Sequence, residues 1–280
     1  MWNTVTIVGV GLIGGSIGLA VKSRGLARQV IGVGRDARTL ERAREAGVID
    51  QAAINLEDGV ASADLIVVCT PVDRIAEDVV RSARFAPRRA VITDAGSTKG
   101  NILRELQGRL SPEQALFVGS HPLAGSEKKG AVNARADLFA NRLVVVTPTA
   151  DTDLEAVAVV ERFWRLLEAR VIRMDPELHD RALATTSHLP HAVASALAGV
   201  TPVEWLPLTA GGFCDSTRIA AADPALWTAI FLANQAAVLA ATEQYLQRLL
   251  AFRDALAAGN APAIHDWLAE GKVVRDALGS

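Results

Sequence analysis

Val5-Thr6-Ile7-Val8-Gly9-Val10-Gly11-Leu12-Ile13-Gly14-Gly15-Ser16 is the stretch on which the fold turns. A β-branched run reaches Gly9, and glycines at 9, 11 and 14 follow the spacing G-x-G-x-x-G. A helical pattern continues through Ile13, Ile17, Leu19, Ala20 and Val21. This strand–turn–helix order is the context a dinucleotide fingerprint needs. Gly9 permits the tight turn, Gly11 lets backbone approach a pyrophosphate, and Gly14 lets helix and strand pack closely. From Leu12 and Ile13 onward the helix start offers free N–H groups and the positive end of its dipole to phosphates. Taken alone, the motif also fits a tight βα turn in a domain that binds no nucleotide.

Working outward, the next strand candidate is Val30-Ile31-Gly32-Val33-Gly34. In an NAD-binding unit an acidic residue about 20 residues beyond the fingerprint bonds the ribose 2′-hydroxyl. Here Gly34 holds that place, followed by Arg35 and Asp36. The missing carboxylate removes a charge that would repel a 2′-phosphate, and Arg35 brings a planar donor fork suited to one. Arg38 adds to it. The pattern favours NADP over NAD. Alternatively Asp36 serves the ribose, or caps the helix expected from Ala37 to Ala46.

Further strands are expected at Asp64–Cys69, Ala90–Asp94, Leu116–Gly119, Leu143–Val146 and Ala169–Ile172, alternating with helices at Arg74–Ala83, Asn101–Leu110 and Leu154–Leu167. Continuous apolar runs such as Leu65-Ile66-Val67-Val68 suit a sheet covered on both faces, and the alternation means a doubly wound α/β fold. Cys69 reads as packing, and Thr70-Pro71 after it lies at a strand's carboxyl end, on the cofactor side. Ser97 and Lys99 sit beyond another strand end, where open α/β sheets bind ligands; Ser97 also suits a helix cap. His121, expected just past a strand end beside small residues, suits acid–base work because the imidazole pKa lies near operating pH.

After Asp175-Pro176 strand signals stop and alanine-rich helix remains. A helix starting there carries His179, His188 and His191, with a kink expected at Pro190. His188 and His191 have a spacing compatible with a metal, but no third ligand lies nearby and no metal is expected. A loop is expected over Gly211–Arg218, then one long helix from Asp223-Pro224 to about Ala258, and a last helix from Asn260–Pro262. Between residues 229 and 241 the long helix is apolar on nearly every face. Such a helix must be buried all round, which points to a helical dimer core. The expected division is a dinucleotide-binding domain at 1–172 and an all-α dimerisation and substrate domain at 173–280.

The 280 residues carry 29 basic and 31 acidic side chains, a net charge of −2, and no basic run. That argues against a nucleic-acid footprint. The most apolar stretch, 229–241, is shorter than the roughly 20 residues a membrane span needs, and no membrane partner is expected. Cys69 and Cys214, far apart, fit a reducing cytoplasm with buried thiols. The chain begins directly with a strand, with no charged segment or cleavage site typical of a leader.

Five ordered motifs resemble the prephenate/arogenate dehydrogenases of tyrosine biosynthesis: Gly9–Ser16, Asp94–Lys99, His121–Lys128, Ser187–His191, and Gly212–Ile219 continuing to Trp227. The resemblance spans nearly the whole chain. It implies a Rossmann domain followed by a helical dimerisation domain, a homodimer, and oxidative decarboxylation of prephenate to 4-hydroxyphenylpyruvate, or of arogenate to tyrosine, with hydride transfer to NAD(P)⁺. It also implies roles. His121 is the group on the ring hydroxyl, and Ser97 shares that hydrogen bond and orients it. Arg218 clamps the side-chain carboxylate, steadied by Asp215, with His191 as a further donor. Trp227 reaches in from a partner subunit. Ser126 and Glu127 stand at the substrate side, Glu127 as a gating acid. The chain is expected to be too short for a fused mutase or a regulatory tail.

Overall fold

In the computed structural model, which describes residues 1–111, 113–125 and 130–279, the opening run forms strand β1 (Trp2–Val8). Successive strand side chains point to opposite faces. Val5 and Ile7 therefore enter one apolar core and Val8 enters another. The chain continues through α1 (Leu12–Ser23), β2 (Ala27–Val33), α2 (Ala37–Glu45), β3 (Gln51–Ala53), α3 (Leu56–Val60), β4 (Leu65–Val68), α4 (Val72–Phe85), β5 (Val91–Asp94), α5 (Gly100–Leu106) and β6 (Leu116–Pro122). A 3-10 turn at Ala131–Asn133 precedes β7 (Leu143–Thr147), α6 (Leu154–Leu166) and β8 (Arg170–Arg173).

The sheet has eight strands in the order β3-β2-β1-β4-β5-β6-β7-β8. Neighbours are parallel except β6 and β7, which run antiparallel. One core gathers Ile17 and Val21 of α1, Leu40 of α2, and Phe163 and Trp164 of α6. The other gathers Val60 of α3, Val79 of α4 and Ile102 of α5. All four residues of β4 are buried, as an apolar strand with helices over both faces requires. The short β3 and α3 were not foreseen: three and five residues carry too little periodicity to read.

Beyond the sheet, α7 (Pro176–Leu183) is capped by Asp175, which accepts from the Leu178 N–H at 2.9 Å. A π-turn over Ala184–His188 leads into α8 (Leu189–Gly199). Pro190 thus sits in the first turn of a new helix, where its missing N–H costs nothing, and the π-turn takes up the irregularity expected as a kink. A 3-10 turn spans Val203–Leu208. The loop expected over 211–218 is instead α9 (Gly211–Thr217) running into a 3-10 turn at Arg218–Ala221. Next comes α10 (Pro224–Ala233), capped by Asp223.

The single long helix expected from 224 to about 258 is broken at Asn234. This residue leaves the helical region (φ −116°, ψ 31°), and its buried amide donates to the Asp180 carbonyl at 2.8 Å. Compactness divides the chain at this point, after Asn234. The stretch α7–α10 stays with the sheet because Asp180 binds backbone N–H groups at the start of α5. The second unit is a helix pair, α11 (Gln235–Ala257) and α12 (Ala261–Asp276), held by Phe252 against Trp267, the Arg248–Glu270 ion pair at 2.7 Å and the Trp267 indole N–H on the Arg248 carbonyl. Among the described residues no single helix is long and apolar enough to cross a membrane.

Candidate active site

The turn from β1 into α1 is shaped by its glycines. Gly9 adopts φ +96°, and a Cβ there would lie 2.9 Å from the Cys69 carbonyl carbon. A Cβ on Gly14 would lie 2.2 Å from the Gly9 carbonyl oxygen, so turn and helix touch. Gly11 differs: nothing lies within 4 Å of its would-be Cβ, and no side chain caps the helix that starts at Leu12 and Ile13. A cavity of about 430 Å³ occupies that space, with Gly11, Gly34, Arg35, Thr70, Pro71 and Arg74 in its walls. It lies at the carboxyl ends of β1, β2 and β4, and β1 beside β4 is where the strand order reverses, the place where open α/β sheets bind dinucleotides. The Thr70 Oγ1 is buried and has no hydrogen-bond partner among the described residues. An orphan of this kind costs about 1–3 kcal/mol, and a polar ligand in the cavity removes the cost. The residues fit a dinucleotide.

At the end of β2 the chain passes from Val33 to Gly34 with no carboxylate. Asp36 caps α2, accepting from the N–H groups of Arg38 and Thr39 at 3.2 Å each and from the Thr39 hydroxyl. The Thr39 bond, then the Arg38 N–H, holds its carboxyl below the usual range. Arg35 and Arg74 are exposed on the rim and have no ion pair among the described residues. Burial, and then the Asp94 charge, push the Cys69 thiol far up, which keeps it an inert packing residue. Cys214, expected buried, is exposed in the single chain because α9 turns it outward.

His121 lies inside β6, not beyond it, opposite Val145 of β7. The antiparallel partner carries pairing on through Pro122, past the point where apolar patterning ends. The imidazole is buried, at 8% exposure. Its Nδ1 is 2.9 Å from the Nε2 of His179, whose own Nδ1 is 2.8 Å from Asp180 Oδ1. Asp180 also accepts the backbone N–H of Lys99 on Oδ1 and of Gly100 on Oδ2, each at 2.8 Å. Burial raises the Asp180 carboxyl, but His179 and these two N–H groups outweigh it and leave it below its ordinary value. His121 is pushed well below 6.5 by burial first, then by the charges of His179, Lys99 and His188. Under the site lies a buried ion pair: the Lys99 ammonium binds Asp94 and the Ser120 carbonyl, and Asp94 also accepts the N–H groups of Gly96 and Ser120.

Ser97 does not cap α5 and makes no bond to His121. Its hydroxyl has no partner among the described residues, and the N-cap position falls on Lys99. The ring of His121 is oriented by His179. His191 of α8 stacks on Trp227 of the same chain, centroids 3.4 Å apart and planes at 23°; the expected reach of Trp227 from a partner is not needed for this contact. Burial lowers the His191 pKa, as does the nearby Arg218, against a backbone hydrogen bond at Ile219. His188 accepts from the Asn234 amide at 3.2 Å, and burial pushes it down to about 4. Arg218 and Asp215 are exposed, and among the described residues no ion pair joins them. Ser126 and Glu127 lie outside the described residues.

Sequence reasoning missed His179 as a partner of His121, and missed Asp180 altogether. The two histidines stand 58 residues apart. The one available signal was an adjacent His-Asp pair in the first turns of a helix.

A dinucleotide cleft at the sheet's switch point, together with a buried imidazole of lowered pKa on another strand of the same sheet, defines a nicotinamide-dependent dehydrogenase. The chain belongs more narrowly to the prephenate dehydrogenase family. The family's nucleotide-binding domain matches residues 17–173 and its dimerization domain residues 175–270. A cyclohexadienyl dehydrogenase of Zymomonas mobilis is 33% identical over 287 residues, covering 99% of this chain and 97% of the relative. Prephenate dehydrogenase from Aquifex aeolicus, solved in complex with hydroxyphenyl propionate and NAD⁺, matches with a TM-score of 0.90 at 32% identity, covering 99% and 98% of the two chains. Synechocystis arogenate dehydrogenase matches at 0.83 with 30% identity, covering 98% and 99%.

Proposed function

We propose that the protein oxidatively decarboxylates prephenate to 4-hydroxyphenylpyruvate in the cytoplasm, as a homodimer, with NADP⁺ preferred over NAD⁺. In this reading residues 1–172 hold the dinucleotide, and residues 173–280 complete the substrate site and the dimer. The observation that carries the chemistry is the buried His121 near the carboxyl end of β6, its imidazole kept neutral by burial. A bound nicotinamide supplies the hydride acceptor. His121 takes the proton of the ring hydroxyl as hydride leaves the same carbon, and the ring carboxylate departs as carbon dioxide while the ring becomes aromatic. The phenol oxygen finally holds a proton, so the proton taken up by His121 is returned and none is released. Arg218 binds the side-chain carboxylate with two parallel N–H groups, His191 adds a donor, and the face of Trp227 closes the pocket. Asp215, an exposed acid three residues before Arg218 with no ion pair among the described residues, favours an ammonium on the side chain and makes arogenate the second reading.

The NADP⁺ preference rests on Gly34 in place of a carboxylate and on two rim arginines, Arg35 and Arg74, that have no ion pair among the described residues. Initial rates with prephenate or arogenate, each with NAD⁺ or NADP⁺, test substrate and cofactor together. The highest kcat/KM is expected with prephenate and NADP⁺. Arg35→Ala is expected to cut kcat/KM for NADP⁺ by roughly 10–100-fold, the worth of one charge-assisted hydrogen bond, and to leave NAD⁺ nearly unaffected. An unaltered cofactor ratio would assign the ribose to Asp36 or to backbone groups. Absence of turnover in all four combinations would refute the proposed reaction.

The dimer is supported by apolar side chains left open in the single chain. Val200 and Val203 are each 77% exposed and Leu208 82%, and in the helix pair Val273 and Val274 are each 70% exposed. Scattered exposed apolar residues are ordinary, but contiguous ones mark contact surfaces. Sedimentation is expected to show a dimer at micromolar concentration; a stable monomer there would contradict this assignment.

A further inference from the structure

Asp180, His179 and His121 form a line of hydrogen bonds whose direction can be worked out from its buried end. Asp180 already accepts two backbone N–H groups, which favours the ionised carboxylate, an acceptor only. The His179 Nδ1 must therefore carry the proton of the 2.8 Å contact. A neutral imidazole that donates from Nδ1 accepts at Nε2. The atom facing that Nε2 at 2.9 Å is the Nδ1 of His121, which must be the donor. The only nitrogen then left bare on His121 is Nε2, and among the described residues nothing caps it. From the geometry we infer that His179 and Asp180 are positioning residues that hold His121 in the Nδ1–H tautomer, with the Nε2 lone pair presented to the substrate hydroxyl.

This inference rests on His121 being the base of the proposed reaction, and it adds a reason for the line of partners. The hydroxyl O–H bond breaks and an Nε2–H bond forms on His121. The C–H electron pair of the carbinol carbon leaves as hydride to the nicotinamide, and the electron pair of the broken bond to the ring carboxylate enters the ring. The phenol oxygen then recovers the proton from Nε2. For the interval between, a proton must be kept on an imidazole that burial would otherwise strip. The Nδ1–H bond to His179, backed by the Asp180 charge, supports the imidazolium while it lasts. His179 is fully buried with its Nε2 turned to His121 Nδ1, and its effect is expected to pass through His121. Asn234 closes the assembly from α10 by bonding the Asp180 carbonyl and His188 at once.

The test is ¹⁵N–¹H correlation spectroscopy of the histidine-labelled enzyme near pH 8, together with kinetics of three variants. The parent is expected to show His121 protonated at Nδ1 and bare at Nε2; a proton on Nε2 would overturn the inference with no substitution made. His179→Leu removes the acceptor, and His121 is expected to revert to the Nε2–H tautomer favoured by free imidazole side chains. In that variant kcat is expected to fall by roughly 10²-fold with KM nearly unchanged. His179→Gln, whose amide oxygen can accept from Nδ1–H, is expected to regain a large part of the rate and the parent tautomer. A His179→Leu enzyme with parental kcat and tautomer overturns the relay. His121→Asn separates the two levels: if that variant keeps its rate, the assignment of the base fails, and if it loses the rate while His179→Leu does not, only the relay fails. Should His179→Leu fail to fold, the parent spectrum and His179→Gln decide.

Discussion

His121→Asn is expected to lower kcat by roughly 10²-fold or more while substrate affinity is kept, the usual loss when a positioned general base is removed. Asparagine preserves the polar contact from the strand and can hydrogen-bond a hydroxyl, but it cannot take the proton. The loss therefore falls on the chemical step, and rapid-mixing or steady-state kcat reads it directly; a variant with near-normal kcat removes His121 from the mechanism. The same residue sets the acid limb of the pH profile. Its pKa lies well below 6.5 because burial, and then the neighbouring His179, Lys99 and His188, oppose a charge on it. The active form is the neutral one, so kcat/KM is expected to stay level as pH falls through 6.5 and to decline only below it, as the base protonates. Stability follows the same sign. Histidines kept neutral in the fold, among them His188 at about 4, ionise freely in the unfolded chain. The unfolded state then binds more protons between about pH 6.5 and 4, and stability falls as pH is lowered through that window.

The nucleotide half of this molecule is written in local signals. A glycine at a positive φ, a second glycine under open space and a run of buried β-branched residues each declare themselves within a dozen residues, and β1, β2, β4 and β5 fall where periodicity places them. The substrate half is built from contacts across long separations. His121 was legible as a candidate base, yet its place inside β6 depends on antiparallel pairing with β7, to which the polar Ser120-His121-Pro122 gives no clue. The partner that orients it comes from α7, and the residue that holds α7 in place, Asp180, reads locally as an ordinary acid in a helix. Asn234 makes the same point in reverse. It lies in an apolar stretch that reads as one long helix, but its buried amide donates to two acceptors, the Asp180 carbonyl and His188. The helix ends there. Trp227 was assigned a place by resemblance, and its stacking on His191 of its own chain, across α8 and α10, is a long-range contact that no local pattern announces.

Arg218→Gln is expected to raise KM for the substrate by roughly 10–100-fold with kcat largely kept, matching a charge-assisted hydrogen bond of about 1.5–3 kcal/mol. Arg218 sits in the turn that follows α9, exposed and without an ion pair among the described residues, close enough to His191 for its charge to lower the imidazole pKa. Had Asp215 neutralised it, as the resemblance implied, the guanidinium would hold its own partner and offer the substrate one edge at most. Left unpaired, both parallel N–H groups are available to a carboxylate, which is the geometry arginine favours. Glutamine retains one donor and the reach but loses the charge and the second bond. The carboxylate it grips is remote from the carbon that gives up hydride and changes little between bound substrate and transition state. An interaction equally strong in both states appears in KM and not in kcat. A fall in kcat of similar size would mean instead that the clamp sets the distance between the carbinol carbon and the nicotinamide, and an unchanged KM would place the carboxylate site away from Arg218 and His191.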